Sequence, residues 1–81
     1  MSDASVTEAL LDAKGLACPL PVLRARKMLN GIPPGALLTV LATDPAAARD
    51  FDVFCRQTGH QLVESTKDAA GVLRCVIRKK V

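Results

Sequence analysis

The residues best suited to chemistry are gathered in one short stretch, Gly15-Leu16-Ala17-Cys18-Pro19-Leu20-Pro21. A thiol is a nucleophile only as its thiolate. The pattern around Cys18 predicts a place where that form is favoured. Proline is tolerated in the first turn of a helix, where its missing N–H would have had no partner. The spacing therefore puts Cys18 at or just before a helix N-terminus, the positive end of the helix dipole. If Cys18 is the N-cap, its sulfur accepts from the N–H of the second or third helical position. The third is Pro21, which has none, so the Leu20 N–H is the expected donor. Pro19 and Pro21 also stiffen the loop, and the Gly15 turn leads into it. Arg24 and Lys27 stand close to the helix start. They read first as solvated charge and second as cations that raise thiolate character or attract an acidic partner.

The remaining titratable residues sort by position. Cys55 lies on an apolar helix face with Phe51 and Phe54, and Cys75 shares a strand face with Leu73 and Ile77, so both read as core. No pair of Cys or His has ligand spacing, and neither a metal nor a cofactor is expected. Asp44, before Pro45, reads as a helix cap. Asp12 reads as an acceptor that tethers the Gly15 turn. The only histidine, His60, follows the second helix. A helix of roughly 13 residues is about 20 Å long, which places His60 at the far edge and disfavours a Cys–His catalytic pair.

These residues need elements to position them. Ala9 to Ala13 is a short apolar run that reads as a strand. Pro19 to Asn30 is a helix, with Val22, Ala25 and Leu29 at helical spacing. Leu37 to Ala42 is apolar on both faces, which suits a central strand. Asp44-Pro45 starts a second helix that runs to about Thr58 and stops at Gly59. Gln61 to Lys67 and Val72 to Lys79 form a hairpin around Asp68-Ala69-Ala70-Gly71. The order β-α-β-α-β-β predicts an α/β two-layer sandwich, a four-stranded mixed sheet with two helices on one face. A strand–helix–strand unit implies parallel first and second strands. Both strand-to-helix turns then share one sheet edge, where Asp12, Cys18 and Asp44 are expected to cluster. Residues 1–8 read as a flexible N-terminus and residues 9–81 as one domain.

Composition narrows the function classes. The 81 residues are 49% hydrophobic and 23% charged, which is globular rather than disordered. Three widely spaced cysteines argue against a secreted disulfide framework. No signal peptide and no run of roughly 20 apolar residues is present, so a soluble, cytoplasmic protein with free thiols and no membrane contact is expected. A net charge of +3 without Trp or Tyr makes direct nucleic-acid binding a weaker reading. An RNA-binding module and a regulatory interaction domain with a structural cysteine stand as alternatives.

Leu11-Asp12-Ala13-Lys14-Gly15-Leu16-Ala17-Cys18-Pro19-Leu20-Pro21, followed by Arg26-Lys27, resembles the CPxP signature of the TusA (SirA-like) sulfur-carrier family. The likeness continues through Pro34-Gly35, Ala42-Thr43-Asp44-Pro45-Ala46, Arg49-Asp50, Phe54-Cys55 and Ile77-Arg78-Lys79. It covers residues 10–80. The resemblance implies the same two-layer sandwich and assigns Cys18 the role of the family's persulfide-forming cysteine. It further implies a cysteine desulfurase as sulfur donor and a downstream relay protein as acceptor, leading to 2-thiouridine in tRNA. Sulfur oxidation and molybdenum cofactor synthesis are other routes that members of this family serve. Leu20 fills the variable CPxP position, where some relatives carry Glu.

Overall fold

The computed structural model describes residues 8–81, so most of the segment expected to be a flexible N-terminus lies outside the described residues. Glu8, which the sequence reading places in that segment, is instead the first residue of β1. The elements are β1 (Glu8–Ala13), α1 (Leu20–Asn30), β2 (Leu37–Ala42), α2 (Ala47–Thr58), β3 (Gln61–Lys67) and β4 (Leu73–Arg78). They build one mixed sheet in the order β1-β2-β4-β3. β1 and β2 are parallel, with Glu8 opposite Leu37 and Ala13 opposite Ala42. β4 runs antiparallel to both β2 and β3.

Alternation decides which side of each strand is dry. Leu38, Val40 and Ala42 of β2 and Leu73, Cys75 and Ile77 of β4 are buried, and they meet the two helices. The other sheet face carries Thr39, Leu41, Arg74 and Arg78, with an Arg74–Glu64 ion pair at 2.7 Å. Cys55 and Cys75 are buried as the periodicity predicts. α1 differs slightly from its expected inner face. Pro21, Ala25 and Leu29 are the buried residues, while Val22 is only half-buried beside them. α2 buries Ala47, Phe51, Phe54 and Cys55, and Phe51 is among the largest fully enclosed side chains.

Element ends follow from local hydrogen bonding. α2 stops at Gly59, whose φ of +86° is left-handed and whose N–H bonds the Cys55 carbonyl. β4 begins one residue later than expected, because the Val72 N–H bonds the Asp68 carboxylate at 2.9 Å. The same carboxylate takes the Ala70 N–H and closes the β3–β4 hairpin. Regular α2 begins at Ala47 rather than Pro45. The Ala47 N–H first closes a turn onto the Asp44 carbonyl at 3.1 Å.

Candidate functional site

The parallel register brings the ends of β1 and β2 side by side, and the two strand-to-helix turns leave the sheet at one edge. A hydrogen bond from the Gly15 N–H to Thr43 Oγ1, at 3.0 Å, ties one turn to the other. Gly15 turns with φ +83°, a conformation that favours glycine. Asp12 accepts from the Lys14 N–H and pairs with the Lys14 ammonium, so it secures this turn as expected. Asp44, expected as the cap of α2, is not its N-cap, which is Ala46; the Asp44 carboxylate instead accepts from the Ala46 N–H at 3.0 Å in the turn before the helix. Together these contacts set exposed Cys18 beside the first turn of α2.

The Cys18 Sγ–H donates to Asp50 Oδ2 at 2.7 Å. Carboxylate oxygens of Asp44 and Asp50 and the Cys18 sulfur all lie within 4.8 Å of one another. The hydrogen bond accounts for the Cys18–Asp50 approach, and the contact with the Ala46 N–H places Asp44 beside them. The expected cluster is thereby half corrected. Asp44 joins Cys18, but Asp12 turns back on its own loop, and Asp50 takes the third place. Asp50 is the residue that sequence reasoning passed over. A usable signal was present, because Asp50 lies in the first turn of a helix that starts at the same sheet edge as Cys18.

The electrostatics reverse the expected sign. The Cys18 thiol is pushed above its ordinary range, first by its hydrogen bond to Asp50. Partial desolvation and the negative charges of Asp50 and Asp44 act in the same direction. The helix terminus offers little to oppose this. The Leu20 N–H, expected to reach the sulfur, is taken by the Ala17 carbonyl at 2.9 Å. Pro19, and not Cys18, occupies the N-cap position, and Pro21 within the first turn carries no N–H. Pro19 and Pro21 thus remove two of the N–H groups at the helix end, and that of Leu20 is turned to Ala17. The Cys18–Pro19 peptide is cis.

Cys18 stands at one end of a groove of about 620 Å³ between the two helices. Pro19, Val22 and Arg26 line one wall and Arg49, Asp50 and Val53 the other. Arg24 and Lys27 are exposed and absent from the groove. On a helix of 3.6 residues per turn, Val22 shares a face with Arg26, not with its nearer neighbours. Leu20 is exposed next to the cysteine. His60 lies beyond the far end of α2, where its Nδ1 accepts from the Lys80 N–H at 2.9 Å and its ring rests against Phe54. Burial and the nearby Lys79 and Lys80 hold its pKa below the usual value.

A model of the family described as Sulfurtransferase TusA matches residues 9–79. The chain belongs to the TusA family. Its relatives in that family are sulfur carriers by name. The sulfur carrier protein TusA of Allochromatium vinosum is 52% identical over 69 residues, covering 85% of this chain and 90% of that one. The protein of the same name from Pseudomonas aeruginosa is 47% identical, covering 90% of this chain and 91% of that one. A crystal structure of a SirA-like protein from Desulfitobacterium hafniense superposes with a TM-score of 0.80 at 28% identity, over 90% of this chain and 99% of that one. The TusA relatives share the sequence, and the SirA-like protein shares the fold. Among the described residues, no helix is long and apolar enough to cross a membrane.

Proposed function

We propose that this member of the TusA family carries one sulfur atom as a persulfide on Cys18, loaded by a cysteine desulfurase and unloaded to a relay protein on the way to 2-thiouridine in tRNA. The observation that carries the reading is the contrast among the three thiols. Cys18 is exposed at the mouth of an open groove, while Cys55 and Cys75 are buried in the core. A carrier needs one accessible sulfur atom that two successive proteins can reach, and an open sheet edge meets that need.

Loading is an exchange reaction. The Cys18 thiolate attacks the outer sulfur of the donor's persulfide, the bond to the donor's cysteine breaks, and that cysteine leaves as thiolate. Cys18 then holds S–SH. Unloading repeats the step with the acceptor's thiolate as nucleophile and Cys18 as leaving group. The sulfur changes hands without net oxidation or reduction, and it needs neither metal nor nucleotide. The free sheet face gives less support to RNA binding. The chain has no Trp or Tyr, and its two Phe side chains, Phe51 and Phe54, are in the core, which leaves little for bases to stack on.

The test is mass spectrometry after incubation with a cysteine desulfurase and cysteine. A reducible gain of roughly 32 Da, one sulfur atom, is expected on wild-type protein and not on Cys18→Ser. An adduct that persists in Cys18→Ser sinks the proposal. tRNA 2-thiouridine in cells lacking the protein separates the tRNA route, where it falls, from sulfur oxidation or molybdenum cofactor synthesis, where it does not. The reading places the protein in the cytoplasm with these partners.

A further inference from the structure

Cys18 donates its proton to a carboxylate and has a second carboxylate at hand, an unusual setting for a sulfur that must act as a nucleophile. The charged groups facing it come from three places. The β2–α2 turn contributes Asp44, α2 contributes Asp50 and Arg49, and α1 contributes Arg26. Lys14, in the preceding turn, is paired with Asp12. Neither Arg26 nor Arg49 forms an ion pair among the described residues, and the sulfur's hydrogen-bond partner is the Asp50 carboxylate. We infer that Asp50 is a positioning residue, which holds Cys18 as the thiol in the free protein and slows its sulfur exchange.

The reasoning covers both directions of exchange. A thiol that attacks must first lose its proton, and here the resulting negative sulfur would sit against Asp50 with Asp44 close by. The direction of the Cys18 pKa agrees with this. A more basic thiolate is intrinsically a better nucleophile, but only partly so. With a Brønsted coefficient of about 0.4–0.5, each unit of rise in pKa lowers the neutral-pH rate roughly threefold to fourfold. In unloading, the acceptor thiolate attacks the outer sulfur, the S–S bond breaks, and the electron pair stays on Cys18 Sγ. That charge again develops beside the two carboxylates, and a more basic leaving group departs more slowly. The free carrier therefore exchanges reluctantly both when empty and when loaded.

The unloading half rests on the carrier reading proposed above, whereas the thiol's own reactivity does not, so the two fail separately. The first measurement is the pH dependence of iodoacetamide alkylation of Cys18 in the full chain, for wild type, Asp50→Asn and Asp50→Glu. Asp50→Asn is expected to move the inflection to lower pH and raise the neutral-pH rate roughly threefold for each unit of that movement. Asp50→Glu, which keeps the charge, is expected to stay with wild type. An unchanged inflection in Asp50→Asn, or an equal shift in both variants, overturns the inference. So does a wild-type inflection at or below that of free cysteine, a result that needs no variant to fold. The second measurement loads the protein with persulfide and follows sulfur loss to glutathione. Faster loss from Asp50→Asn supports the inference, and equal loss overturns its unloading half.

Discussion

A cysteine's chemistry here depends on its depth and on what accepts its proton. Cys18 was legible because its signal is local: two prolines and a glycine turn fix its place before a helix. Its electrostatics were not legible, because Asp50 reaches it through space from another element. Arg24 and Lys27 are exposed, in line with their first reading as solvated charge, and away from the groove, whose cations are Arg26 and Arg49. The buried thiols give a sharper test of depth. Burial, with smaller effects from Cys75 and Asp52, pushes the Cys55 thiol up to about 11 from an ordinary 9.0. The folded state then keeps a proton that the unfolded chain gives up. This contribution to stability is fully present below 9.0 and is lost as pH rises through about 11. Urea midpoints measured from neutral to alkaline pH are expected to fall across that window, and to fall less steeply in Cys55→Ala.

Elements set the distances between these residues, and their order was readable from periodicity alone. The parallel pairing of β1 and β2 followed from the strand–helix–strand rule, and it is what brings the two turns to one edge. The order of strands within the sheet was not readable in the same way. The short connection makes β3 and β4 neighbours, but nothing in their alternation says which of them meets β2, so the pairing of β4 with β2 is a finding of the structure. Helix ends were readable to within a residue or two, where a Pro, Gly or Asp supplied the stop. Gly59 is the clearest of these. A Cβ at this position would be forced into a left-handed conformation and would meet Lys80 Cδ at 3.2 Å. Gly59→Ala is expected to cost roughly 1–2 kcal/mol, chiefly from the backbone, read as a lower denaturation midpoint with an unchanged slope.

At the scale of the molecule, a single core holds both helices on the sheet and so holds the site together. Cys18 belongs to the β1–α1 turn and Asp50 to α2, and no covalent or local constraint joins them. Their meeting depends on the Gly15–Thr43 hydrogen bond between the two turns and on the shared core, to which α1 contributes Leu29 and α2 Phe51. A domain of this size has a stability of only about 4–12 kcal/mol. Phe51→Ala, at a fully enclosed ring, is expected to remove about 3–5 kcal/mol of it. Chemical denaturation measures the loss. The composition, rich in aliphatic side chains and nearly without aromatics, made a single small core legible from the outset. The groove was not legible, because it is the space two helices leave between them.

The position of β4 has a consequence for how the protein comes into being. Ala42 pairs with Leu73 and Leu37 with Arg78, so every rung between β2 and β4 closes a loop containing all of α2 and β3. A growing chain emerging from the ribosome exposes Cys18 first, then Asp44 and Asp50, and only later the strand that locks the sheet. Before that strand arrives the core that packs α1 and α2 on the sheet is incomplete, so the contact between Cys18 and Asp50 is not expected to be fixed. On the inference that Asp50 holds the thiol, chains whose sheet has not yet closed are expected to be alkylated at Cys18 faster than finished ones.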